Sequence, residues 1–105
     1  MDKRENAITI AKKYADAVKA ANFPMSIKKS YLFGSYAKGN PHKDSDIDVA
    51  FVVSNCKGNY FYDIVIPVST LREDIDLRIE PHIIDPEEDY SNFMMELERT
   101  GIELV

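Results

Sequence analysis

The sequence predicts an α+β (mixed α/β) fold, one small sheet with helices packed on it. Three observations lead there. Apolar residues recur at three- and four-residue spacing over residues 5–21, and a β-branched and aromatic run follows Asp48. Beyond them, segments of helical and strand pattern alternate to the end of the chain. The 105 residues suit one domain, 1–105, with a core that needs no disulfide or structural metal. Apolar residues at 45% and charged residues at 30% exclude a disordered chain.

The first helix covers residues 5–21, with Ala7, Ile8, Ala11, Tyr14, Ala15, Val18 and Ala21 on one side and lysines on the other. Asn22 and Pro24 stop it. Ser26 to Phe33 reads as a strand that packs Ile27, Tyr31 and Phe33. Gly34-Ser35 ends the strand, Ser35 to Lys38 reads as a short helix, and the stretch to Ser45 is loop, rich in glycine, Asn-Pro and charge. Asp46 opens a second strand through Val53, apolar enough to be buried on both faces. Ser54 to Gly58 is a turn, and residues 60–72 form a helix kinked at Pro67. Asp74 to Ile84 alternates as a third strand, with Ile75, Leu77 and Ile79 on one face and Asp76, Arg78 and Glu80 on the other. Asp85 as N-cap, Pro86 at the first helical position and Glu88 as its capping-box partner start the last helix. Tyr90, Phe93, Met94 and Leu97 form its stripe and Gly101 its stop. Ile102, Leu104 and Val105 add a packed tail.

Charge is unevenly placed. Residues 1–43 hold nine Lys/Arg against three Asp/Glu, and residues 44–105 hold four against fifteen. The net charge of −5 disfavours non-specific nucleic-acid binding, whose affinity comes mostly from phosphate contacts. Cys56 is the only cysteine, so a disulfide framework is excluded. No apolar run approaches the ~20 residues that span a bilayer, so no membrane partner is expected. With no signal-like N-terminus, a reducing cytoplasm is the expected compartment.

The chemistry concentrates in Gly34-Ser35, ten intervening residues, and Asp46-Ile47-Asp48. Carboxylates at i and i+2 of a strand project from one face and repel unless a cation or proton lies between them. Hard oxygen ligands suit Mg²⁺, which takes substrate phosphate oxygens as further ligands. Gly34 lets the backbone approach a ligand closely, and Ser35 at a helix start offers a hydroxyl and N–H groups to an anion. Lys38, His42 and Lys43 add positive field. Together these pieces describe a site for a metal-bound nucleoside triphosphate, of the kind that commonly uses two ions. The spaced set arises by chance roughly once per thousand chains of this length.

The segment GSYAKGNPHKDSDIDVAFVV resembles the signature of the minimal nucleotidyltransferases of the DNA polymerase β-like superfamily. The spacing also resembles that of antitoxins in HEPN/MNT toxin–antitoxin systems. The resemblance implies a nucleotidyltransferase-like core with a small mixed sheet, and transfer of AMP from ATP to tyrosine on a HEPN-type toxin. It implies Mg²⁺, as two ions, on Asp46, Asp48 and a third acid, with phosphates against Gly34, Ser35 and Lys38. Glu80, near the end of its strand, fits the third position better. Asp76, the more usual side chain, is the alternative. Relatives that modify antibiotics or extend nucleic acids carry further domains, so the acceptor is expected on another polypeptide or on a second copy of this chain. Two other readings stand beside this one: a non-catalytic antitoxin that occludes its partner, and a transferase acting on a small-molecule or RNA hydroxyl.

Other reactive side chains have simpler explanations. His82 lacks a second His or Cys at ligand spacing and reads as structural or solvated. Cys56 has no base beside it. Asp85, Glu87, Glu88 and Asp89 are explained by capping and the helix dipole. Tyr60 and Tyr62, flanking Phe61, are candidates for a partner surface if exposed.

Overall fold

A computed structural model of the chain describes residues 2–42, 45–88 and 91–104. Asp2 caps helix α1 (Lys3–Ala21) by accepting the Glu5 N–H at 2.7 Å, and Asn22 closes it in the left-handed conformation. Strand β1 (Ser26–Phe33), the one-turn helix α2 (Ser35–Lys38) and strand β2 (Ile47–Ser54) follow. The crossover to β3 (Ile79–Ile84) is helical in three pieces: a π-helical turn Tyr60–Val65, α3 (Ile66–Thr70) and a 3₁₀ turn Leu71–Asp74. Pro67 lies in the first turn of α3, and the irregularity predicted for residues 60–72 takes the form of a change from π-helical to α-helical to 3₁₀ pattern. The missing N–H of Pro67 leaves carbonyls one turn back without a regular α partner, and the Ile66 N–H bonds to the Phe61 carbonyl in the wider π pattern.

The sheet has the order β3-β2-β1-β4, where β4 is the short Ile102–Glu103 strand against β1. β2 runs antiparallel to β1 and parallel to β3. The expected packed tail is therefore an edge strand. Each face of the sheet carries its own core. Val49, Phe51 and Val53 meet Ala7, Ala11, Tyr14 and Val18 of α1, with Ile64 and Val68 from the crossover. Tyr31, Ala50, Val52 and Ile84 meet Leu97 of helix α4 (Ser91–Thr100), with Phe93 and Met94 at the margin. β2 is thus buried on both sides, as its apolar run predicts.

Several boundaries differ from the sequence reading: α1 begins at Lys3, not at residue 5, and β2 spans Ile47–Ser54, which leaves Asp46 just before the strand it was expected to open. β3 begins at Ile79, not Asp74, and the alternation of residues 74–79 is misleading. Asp76 Oδ1 accepts the Arg78 N–H at 2.9 Å, and the Asp76 and Ile75 N–H groups bond back to the Arg72 carbonyl. This side-chain turn competes successfully with strand extension, and Leu77 is left 72% exposed instead of packed. After β3, Asp85 Oδ1 accepts from Glu87, the Glu88 N–H bonds the Asp85 carbonyl, and residues 86–88 form a 3₁₀ turn. The capping box predicted between Asp85 and Glu88 is replaced by that turn, and α4 starts at Ser91. Lys43, Asp89, Tyr90 and Val105 lie outside the described residues.

Candidate active site

β1 ends against the start of β2, where Phe33 pairs with Asp48. The next residue, Gly34, has φ +77°, and a Cβ there would lie 2.5 Å from Asp48 Oδ2. Only glycine satisfies both conditions, so the turn into α2 lies directly against the Asp48 carboxylate. Ser35 opens α2, and the Lys38 N–H bonds the Gly34 carbonyl at 3.1 Å. The Gly-Ser pair and the second aspartate, 13 residues apart in the chain, are thereby neighbours.

On the other side of β2, the parallel register sets Asp48 beside Glu80 and Ala50 beside His82. Side chains two apart on a strand share a face, so Asp48, Glu80 and His82 project together on the α4 side. One ligand atom from each lies within 4.8 Å of the others. His82 Nε2 is 3.3 Å from Asp48 Oδ1. The imidazole meets Phe33 edge-on at 4.9 Å between ring centres, and Phe33 in turn meets Phe93 of α4 at 5.3 Å. Asp46 is exposed, one residue before β2, and acts on the Glu80 carboxyl strongly enough to raise it.

The electrostatics separate the two candidates for a third acid. Glu80 has its carboxyl held above the usual range, first by Asp46, then by burial and by the Asp48 charge. Three carboxyls thus act on one another here, and among the described residues His82 is the one group that opposes the rise. Asp76 is instead held below the usual range, first by the side-chain hydrogen bond from Arg78, whose Nη2 is 2.8 Å from Asp76 Oδ2. It lies in the turn before β3, so the expectation that it shares a strand face with Glu80 is not met.

The remaining residues singled out by sequence are placed differently. Lys38 Nζ pairs with Glu96 of α4 at 3.5 Å, with half of its side chain exposed. His42 is exposed, and its N–H bonds Ser45 Oγ. Burial, and then the Asp85 charge, raise the Cys56 thiol above its ordinary value, the direction opposite to nucleophile activation. Tyr60, Phe61, Tyr62 and Ile66 are exposed on the crossover. His82 is the residue that sequence reasoning set aside and the fold brings to the carboxylates. Its signal was the spacing Glu80-x-His82, which puts His82 on the same strand face as Glu80, the face that the register sets beside Asp48.

Two carboxylates and an imidazole within ligand reach, with a fourth oxygen-bearing group beside them, fit a divalent cation. The raised Glu80 carboxyl points the same way, since a cation would relieve the repulsion that a proton otherwise relieves.

Residues 6–105 match the family described as polymerase beta, nucleotidyltransferase. No curated protein sequence matches significantly. Among solved structures, the chain is similar to a toxin–antitoxin crystallised with AMP-PNP, at 22% identity and a TM-score of 0.65, covering 90% of this chain and 72% of that one. A putative nucleotidyltransferase from Sulfolobus solfataricus is similar at 24% identity and TM-score 0.65, over 95% and 80% of the two chains. A mutant of the toxin–antitoxin MntA-HpeT matches at 19% identity and TM-score 0.64, over 90% and 72%. At these identities the structural likeness shows a shared fold.

Proposed function

The chain belongs to the polymerase beta nucleotidyltransferase family, and from that premise we propose that it transfers AMP from ATP to a hydroxyl group. The proposed acceptor is a tyrosine on a HEPN-type toxin, which the transfer silences. The observation that carries the catalytic part is the contact of Gly34 with Asp48, because it joins the phosphate-binding turn to the carboxylates. That two of the similar structures are toxin–antitoxin proteins, one with AMP-PNP, supports the antitoxin part.

Asp46, Asp48 and Glu80 would hold divalent ions, Mg²⁺ in the first instance. When bound, such ions neutralise phosphate charge and acidify a coordinated hydroxyl. Gly34 lets the turn lie against the Asp48 carboxylate, and the Ser35 hydroxyl would donate to a phosphate oxygen there. In this reading the exposed Asp46 or Glu80 carboxylate would take the proton of the incoming hydroxyl. The acceptor oxygen bonds to the α-phosphorus as the bond to the β-phosphate breaks, and pyrophosphate leaves. Positioning and charge neutralisation carry the step, so no covalent protein intermediate is needed.

The test is incubation of the chain with α-labelled ATP, Mg²⁺ and a candidate HEPN-type protein. Covalent label on the partner, absent with Asp46→Asn and with Asp48→Asn while both variants keep wild-type circular dichroism, is the expected result. Label retained by both variants overturns the site. Tight binding without label from the wild-type chain would favour occlusion instead.

A further inference from the structure

The carboxylates alone describe an all-oxygen site, and the fold adds a nitrogen donor to it. We propose that His82 is a metal ligand beside Asp48 and Glu80, and that this makes the ion at that position a first-row transition ion in preference to Mg²⁺. The inference rests on the divalent-ion reading above and refines which ion the chain selects.

The distances carry it. His82 Nε2 and Asp48 Oδ1 are 3.3 Å apart, and the Glu80 oxygen completes a set within 4.8 Å. Neighbouring donors around a six-coordinate ion with bonds of about 2.1 Å lie roughly 3 Å apart; the His82–Asp48 pair is close to that spacing, and the exposed Glu80 side chain is near enough to close on the same ion. The imidazole is also held in place. Phe33 packs against it edge-on, Phe93 backs Phe33, and the strand register fixes its backbone beside Ala50. About a third of its side chain is exposed, which leaves an approach from solvent.

Selectivity follows from donor chemistry. Mg²⁺ demands oxygen ligands and dehydrates reluctantly, so a fixed imidazole offers it little. Mn²⁺ accepts carboxylate and imidazole together, and Zn²⁺ binds imidazole more strongly still. Asp46 is outside the set of three, and in the reading above it would serve the second, oxygen-ligated ion.

The experiment is metal binding to the full chain without nucleotide or partner. Calorimetry with Mn²⁺ and with Mg²⁺ is compared across wild type, His82→Gln and Asp48→Asn, and pulsed EPR of the Mn²⁺-loaded chain reads directly bound ¹⁴N. The expected result is Mn²⁺ affinity at least tenfold above that for Mg²⁺. His82→Gln should reduce the Mn²⁺ affinity about tenfold and the Mg²⁺ affinity less than twofold. The ¹⁴N coupling should vanish in His82→Gln and persist in His42→Gln, the variant of the other histidine. Absence of ¹⁴N coupling in wild type, or equal loss of both ions in His82→Gln, overturns the proposal and makes His82 a residue that only orients Asp48. Mn²⁺ binding undiminished by Asp48→Asn would instead overturn the divalent-ion reading on which it rests.

Discussion

Two turns in this molecule are built alike and differ in what they serve. Gly34 and Gly58 both have φ +77°, and at each a Cβ would lie 2.5 Å from a carboxylate oxygen, of Asp48 and of Asp63 respectively. At the second turn the carboxylate is local. Asp63 Oδ2 accepts the Asn59 N–H at 2.7 Å, Asn59 Oδ1 accepts from Tyr62, and the pair closes the start of the crossover. At the first, the carboxylate comes from another strand and faces Glu80 and His82. A glycine under a carboxylate is therefore a packing device. What makes one instance a candidate site is the convergence of further charges from separate strands.

The sharpest way to break this comparison is to neutralise each carboxylate. Asp48→Asn should lower nucleotidyl transfer about a hundred- to a thousandfold, the range seen when a transition-state electrostatic contact is lost. Asp63→Asn should leave transfer within about twofold and cost ~1 kcal/mol of stability, as loss of a cap does. Transfer assays and urea unfolding on both variants measure this. Comparable loss of transfer in both would mean that the two turns are not functionally distinct.

Substituting the glycines gives a smaller effect with the same logic. Gly34→Ala and Gly58→Ala each place a methyl group in the left-handed region and against a carboxylate, so each should cost about 1–3 kcal/mol. Only Gly34→Ala should also weaken divalent-ion affinity, roughly tenfold, because the displaced side chain is Asp48. Equal ion affinity in the two variants would show that Asp48 can move without consequence.

How much of this was legible in the sequence depended on the range of the interaction. Gly34, Ser35 and Asp48 were legible because a turn and one strand hold them, whereas Asp46, read as the first residue of that strand, lies just before it. β1 was legible to the residue, since its ends are marked by Pro24 and Gly34. His82 was not, because its approach to Asp48 depends on a parallel register that pairs residue 48 with 80 and 50 with 82, across 32 residues. Local patterns also misled where two local signals competed. Asp76 carries an alternating strand pattern and a side chain able to form its own turn, and the turn wins. Asp85 behaves the same way, bonding Glu87 and shaping a 3₁₀ turn where the composition suggested the first turn of a helix.

The smallest predicted effect separates Asp76 from Glu80 by sign, without reference to activity. Asp76 is held below its ordinary value by Arg78, so its contribution to stability is complete above the unfolded-state value near 3.9 and is lost as pH falls through the lowered one. Glu80 is held above its ordinary value by Asp46, burial and Asp48. Its contribution is complete below the unfolded-state value near 4.3 and is lost as pH rises through the raised one. At pH 7 without divalent ions, Asp76→Asn should therefore destabilise the chain and Glu80→Gln should stabilise it, each by about 0.5 kcal/mol for groups this accessible. At pH 3 both differences should shrink. Thermal unfolding of the two variants at both pH values measures this. Saturating Mn²⁺ should then reverse the order for Glu80→Gln alone, since the wild-type chain gains ion binding that the variant has partly lost. A Glu80→Gln variant less stable than wild type at pH 7 in chelator would mean that the carboxyls at this end of β2 and β3 are not under like-charge repulsion. The case for a cation between them would then lose its electrostatic support.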